Sequence, residues 1–173
     1  GQDMLNMSVK TELTDLTQVM EKLSSETFVD KSKMSLFGAS QGGVVSSLYA
    51  AAYPDRVHKL MLIFPAFVLF DDAKETYHEL GSPDFDQLPD SLTHHNTTLG
   101  KVYLIDALNI DIQAEQAKIT APTLIIHGTD DAVVPYQYVA EASQTIPNAE
   151  LVTVEGGEHR IDERFAITAA PAI

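Results

Sequence analysis

The chain has 173 residues, no cysteine and 45% apolar residues, which describes one globular domain and excludes disulfides and thiolate chemistry. Its 25 acidic and 11 basic residues leave a net charge of −14, a surface that repels phosphate backbones and argues against a nucleic-acid partner. The longest apolar run, Leu60 to Leu69, has about half the length of a membrane span and contains Pro65. No membrane partner is therefore expected, and with no signal peptide visible the expected compartment is the cytoplasm.

In chain order, Val9, Leu13, Leu16, Met20 and Leu23 recur at steps of three and four, one face of a helix, with Ser8 placed to cap it. A short strand, Met34 to Phe37, runs into Gly38. Val44, Val45, Leu48, Tyr49 and Ala52 then space as a second helix, which Pro54 ends. Residues 59–64, 123–127 and 151–154 are nearly unbroken apolar runs, the pattern of strands covered on both faces. A helix from about Tyr136 to Ile146 separates the last two, and Ile161 to Ile173 forms a short final helix. This alternation predicts an α/β fold, a parallel sheet flanked by helices. The interval from about 66 to 118 has no buried-strand run, and a structureless loop of that length is unusual in a compact domain. It reads as an inserted lid, leaving from the carboxyl edge of the sheet where open α/β folds bind ligands.

Three constellations carry chemistry. Gly38-Ala-Ser-Gln-Gly42 fits G-x-S-x-G between a predicted strand and a predicted helix. A serine hydroxyl becomes a useful nucleophile when a sharp turn exposes it beside a base. The flanking glycines are expected because the turn leaves no room for side chains. The backbone N–H of Gln41, at the helix N-terminus, is then a donor for a developing oxyanion. The second constellation is His127-Gly-Thr-Asp-Asp-Ala-Val-Val-Pro135. Asp131 is the candidate acid that orients an imidazole, while Asp130 can instead cap the turn. The third is Gly156-Gly-Glu-His159, after the last strand. Among six histidines, His58 and His78 read as solvated, His94 and His95 as lid residues poorly placed to share a metal, and His127 as a satisfied core residue. His159 alone completes the order Ser, Asp, His.

With these motifs the chain resembles the bacterial cinnamoyl and feruloyl esterases of the α/β-hydrolase superfamily. The likeness covers most of the chain, including Tyr53-Pro-Asp-Arg-Val57 after the nucleophile helix and the acid loop. Phe-Asp-Asp-Ala-Lys74 and Thr-Leu-Gly-Lys-Val-Tyr103 are similar to that family's lid. The resemblance implies that Asp72 and Tyr103 contact a phenolic ring; alternatively Asp72 caps a turn and Tyr103 packs within the lid. Glu79 stands near where the family has a glutamine, which implies a different reading of ring substituents. The family also implies several strands before the first helix, and a glycine-rich His-Gly loop supplying a second oxyanion N–H. Neither precedes Ser40 and the final helix is short, so the expectation is a single domain over 1–173 with a partial α/β-hydrolase fold, incomplete at its N-terminus and at its C-terminus.

The implied reaction is ester hydrolysis through an acyl-enzyme on Ser40, with His159 as base and Asp131 orienting it, on a small ester of the hydroxycinnamate kind. It needs no metal and no cofactor. The strand at 34–37 would be an exposed apolar edge, so a homodimer or a complementing N-terminal half is expected for full activity. Other readings are a serine peptidase of the prolyl-oligopeptidase type, more distantly a thioesterase or acyltransferase, and an inactive remnant or binding module that keeps the fold.

Overall fold

The computed structural model describes residues 4–94 and 97–169; of the residues singled out above, His95 lies outside them. Helix α1 (Val9–Ser25) starts at Ser8 as its sequence requires. The Ser8 hydroxyl accepts the Thr11 amide while the Thr11 hydroxyl accepts the Ser8 amide, which satisfies two amides at the helix start. Ser8 Oγ also donates to Asp106 Oδ2 at 2.6 Å, tying this cap to a helix almost a hundred residues away.

Strand β1 (Leu36–Ala39) leads into α2 (Gln41–Ala52), followed by β2 (Leu60–Ile63) and α3 (Leu69–Glu79). A small antiparallel pair, β3 (Ser91–His94) and β4 (Thr97–Gly100), precedes α4 (Lys101–Leu108) and α5 (Ile112–Gln116). Then come β5 (Thr123–Gly128), α6 (Gln137–Thr145), β6 (Ala149–Val154) and α7 (Glu163–Ala169). The main sheet is fully parallel in the order β1-β2-β5-β6.

Two sequence expectations shift. The first strand begins at Leu36, not Met34, and runs through Gly38 to Ala39, because its register is set by Leu36 opposite Leu60 and Ala39 opposite Ile63. The second helix buries every residue from Gly43 to Ala51, while Ala52 is exposed. It has no solvent face over that stretch because it lies between the sheet and α1 and α5. Ser47 stays compatible with burial by bonding locally: its Oγ donates to Gly43 O.

Alternation along the strands divides the core. Leu36, Leu60, Leu62 and Ile125 belong to the main core with Val44, Leu48, Tyr49 and Val139. Phe67, Leu69, Phe70, Leu88 and Leu104, all within 66–118, are buried in that same core. The opposite sheet face has a smaller cluster: Ile63, Phe64, Ile126, Val154 and Phe165 of α7. Further along that face, Phe37 is 59% exposed, and among the described residues β1 pairs only with β2.

Candidate active site

The strand-to-helix turn positions Ser40. Its backbone sits at φ 51, ψ −126, a region that costs a non-glycine residue of order 1–3 kcal/mol and needs surrounding support. That support is explicit: Ser40 N donates to Ile63 O, and Ser40 O accepts from Gly43 N and Ala66 N. The expectation that both flanking glycines are required by crowding holds on one side only. A Cβ on Gly38 would lie 2.4 Å from Gly42 O and 2.6 Å from Ser46 Oγ, whereas a Cβ on Gly42 would meet nothing within 4 Å. The second crowded position is Gly43, whose Cβ would press on Pro65.

The loops after β5 and β6 bring the other two residues to this turn. They touch backbone to backbone, so that a Cβ on Gly128 would lie 2.1 Å from Gly157 O. His159 Nδ1 is 2.7 Å from Asp131 Oδ2, and His159 Nε2 is 3.0 Å from Ser40 Oγ. Asp131 Oδ1 accepts the amides of Val133 and Val134 at 2.9 and 2.8 Å. The carboxylate is buried but fully engaged, which is what makes a buried charge tolerable. Since a carboxylate only accepts, Nδ1 carries the proton, and Nε2 is left to accept from the serine hydroxyl. Such an arrangement can draw the proton from Ser40 as its oxygen attacks. Asp130, the competing acid, is exposed and takes a bond from Thr129 Oγ1 instead.

Two neighbours of this string were not singled out by sequence. Phe64, at φ 34, packs its ring on His159 with centroids 4.4 Å apart, and Phe165 meets it edge-on. Its place just beyond β2, on the carboxyl edge of the sheet, was the available signal. His127 is buried, as expected, but only half satisfied. Nε2 bonds Val134 O at 2.9 Å and lies 3.5 Å from Asp131 Oδ2, while Nδ1 has no hydrogen-bond partner. Burial holds its pKa below the usual histidine value, so it stays neutral beside Asp131. His58 and His78 are exposed, as expected.

Gln41 is the first residue of α2, where backbone N–H groups have no intrahelical partner. Its side chain bridges two elements: Nε2 donates to Glu12 Oε2 on α1 at 2.6 Å, and Tyr103 Oη donates to its Oε1 at 2.9 Å. Tyr103 and Asp72 line one small apolar cavity, partly open to solvent, with Leu69, Leu92, Leu99 and Leu104. Burial first, then the charges of Glu12 and Asp72, push the Tyr103 phenol up to about 12. Glu79 is exposed at the end of α3.

A parallel sheet with helices on it, and a serine on a sharp turn at its carboxyl edge, define an α/β-hydrolase. The chain belongs to the prolyl oligopeptidase family, whose sequence model matches residues 6–168. Among solved structures it is similar to Est1E from Butyrivibrio proteoclasticus, with 30% identity and a TM-score of 0.83 over 95% of this chain and 68% of that one. A second Est1E structure, with ferulic acid bound, superimposes with the same score and identity over 96% of this chain and 67% of that one. Among curated proteins, a putative carbamate hydrolase of Stutzerimonas stutzeri is 40% identical over 70 residues. That match spans 40% of this chain and 26% of the relative's length. Among the described residues no helix is long and apolar enough to cross a membrane.

Proposed function

We propose that this hydrolase cleaves carboxylic esters through an acyl-enzyme, with hydroxycinnamate esters as its substrate class. The observation that carries the reading is the hydrogen-bonded string Ser40–His159–Asp131, next to Gln41, whose side chain is hydrogen-bonded to Tyr103 of the cavity that Asp72 also lines. Ser40 Oγ attacks the ester carbonyl while its proton passes to His159 Nε2. The imidazolium, stabilised by Asp131, returns that proton to the departing alcohol. A water then attacks the acyl carbonyl, giving its proton to His159, and the acid leaves as Ser40 recovers its hydrogen. The Gln41 N–H serves the oxyanion in both halves. The apolar cavity suits an aromatic acyl group with a polar end placed near Asp72 and Tyr103; the ferulic acid bound to Est1E supports that assignment.

A second oxyanion donor is part of the proposal. The outer edge of β1, which has no partner strand among the described residues, and the exposed Phe37 support completion of the sheet there, by a second copy or by a further N-terminal half. Loss of one such donor costs about 10²–10³ in turnover. The test is hydrolysis of methyl ferulate and p-nitrophenyl acetate, with fluorophosphonate labelling of the same samples. Labelling that disappears in Ser40→Ala is expected. An unlabelled wild-type chain would favour a fold-keeping remnant, and full turnover by a monomer would remove the need for a completing partner. The family match favours one competing substrate class, peptides; cleavage of a dipeptidyl anilide in preference to methyl ferulate would select it.

A further inference from the structure

We infer that Glu12 is a positioning residue that sets the hydrogen-bonding polarity of the Asp72–Tyr103 cavity, acting through the side-chain amide of Gln41. The inference rests on the proposed reading of that cavity as the acyl site, and it concerns which ring substituents the cavity accepts.

A carboxylate can only accept hydrogen bonds. With Glu12 Oε2 2.6 Å from the Gln41 amide, the group facing it must be the NH₂, and so the amide oxygen faces Tyr103. Tyr103 Oη, 2.9 Å from that oxygen, must then spend its only proton on it. What the phenol offers any ligand is acceptor capacity alone. The Tyr103 oxygen therefore asks for a donor, such as a free phenolic hydroxyl, and is offered none when a methoxy group arrives instead. Tyr103 is kept protonated by its surroundings, with its phenol pushed up to about 12, so it does not escape this arrangement by ionising. Glu12 lies on α1 and Tyr103 on α4, so the helix that carries the determinant is not one that lines the cavity.

Reversing the first link should reverse the code. A lysine at position 12 donates rather than accepts. It would turn the Gln41 amide, bring its NH₂ to Tyr103 Oη and release the phenol proton into the cavity. Glu12→Gln can still present a carbonyl to the amide and preserve the original direction. Glu12→Leu leaves the amide free to turn either way.

The experiment measures binding of methyl 4-hydroxycinnamate and methyl 4-methoxycinnamate to the full chain carrying Ser40→Ala, by calorimetry, so that no turnover is needed. The parent is expected to favour the hydroxyl ester about tenfold or more, as for a hydrogen bond to a charged or strongly polarised acceptor. Glu12→Gln should keep that ratio within about threefold, Glu12→Leu should bring it towards one, and Glu12→Lys should invert it. A ratio unmoved by both Leu and Lys in folded variants overturns the role of Glu12 and leaves the acyl-site reading standing. A parent chain with no preference, or with no binding of either ester, overturns the acyl-site reading and this inference with it.

Discussion

The acid–base side of the site and the cavity side are held in different ways. Asp131 and His159 sit on loops after neighbouring strands that meet backbone to backbone at Gly128 and Gly157. Their side chains form short bonds, and the Asp131 carboxylate is closed in by two loop amides. The cavity is built on α3, β3, β4 and α4, and the Tyr103–Gln41 hydrogen bond ties it to the turn that carries Ser40. The first region is fixed by backbone contact, which no side-chain change can retune without disruption. The second is connected by exchangeable side chains. Chemistry on this scaffold should therefore be brittle and selectivity adjustable.

Breaking the first region should give the largest effects. Ser40→Ala is expected to lower any esterase rate by about 10⁶, as removal of a serine nucleophile does elsewhere, and to abolish fluorophosphonate labelling while the far-ultraviolet spectrum stays unchanged. Asp131→Asn should slow labelling by about 10⁴. The amide can offer its NH₂ to His159 and so favour the wrong tautomer; retention of more than a tenth of the rate would argue against Asp131 as orienting acid. Gly128→Ala forces a Cβ against Gly157 O and should cost roughly 2–4 kcal/mol in urea unfolding. Should its midpoint match the wild type, the two loops are not locked at that point.

On the cavity side the effects are smaller. The Tyr103 pKa is raised in the folded chain to about 12, so between the ordinary value near 10 and that value the folded state holds a proton the unfolded state has lost. This contribution to stability is complete below about pH 10 and is lost as pH rises towards 12. Tyr103→Phe should flatten the fall in the urea midpoint over that window; an unchanged slope would mean that the phenol is not perturbed. Smallest of all is Gly42→Ala. With open space around the Cβ and a position in the first turn of α2, it should raise stability by about 0.5–1 kcal/mol. The same change at Gly38, in contact with Gly42 O and Ser46, should be strongly destabilising.

What sequence revealed follows from how local each feature is. Ser40, Asp131 and His159 each sit where a buried strand stops and a small-residue loop begins, a pattern contained within about ten residues. Sequence favours Asp131 over Asp130 through the motif and the turn-capping habit of an Asp beside Gly and Thr, while burial and the Val133 and Val134 amides are tertiary facts. Ser8 was readable because a cap is read from the residues that follow it. Glu12 was not, because its bond to Gln41 spans 29 positions and depends on how α1 packs on α2. Apolar content extends the expected first strand back to Met34, two residues before β1 begins, because it says nothing about register, which β2 imposes. The motif implies crowding at Gly42, where the molecule places that crowding at Gly38 and Gly43.

The hydrogen-bonded string also has an order of assembly built into it. Asp131 and His159 are 28 residues apart, whereas Ser40 and His159 are 119 apart. On chain-closure grounds the longer link is dearer by roughly 1.3 kcal/mol. The β5–α6–β6 unit can therefore orient the imidazole before the nucleophile strand docks. Substitutions within 123–159 are expected to slow refolding, and those in β1 and α2 chiefly to speed unfolding. A folding chain would then carry an oriented base with nothing to act on, and reactivity towards a fluorophosphonate would emerge only with the last long-range closure.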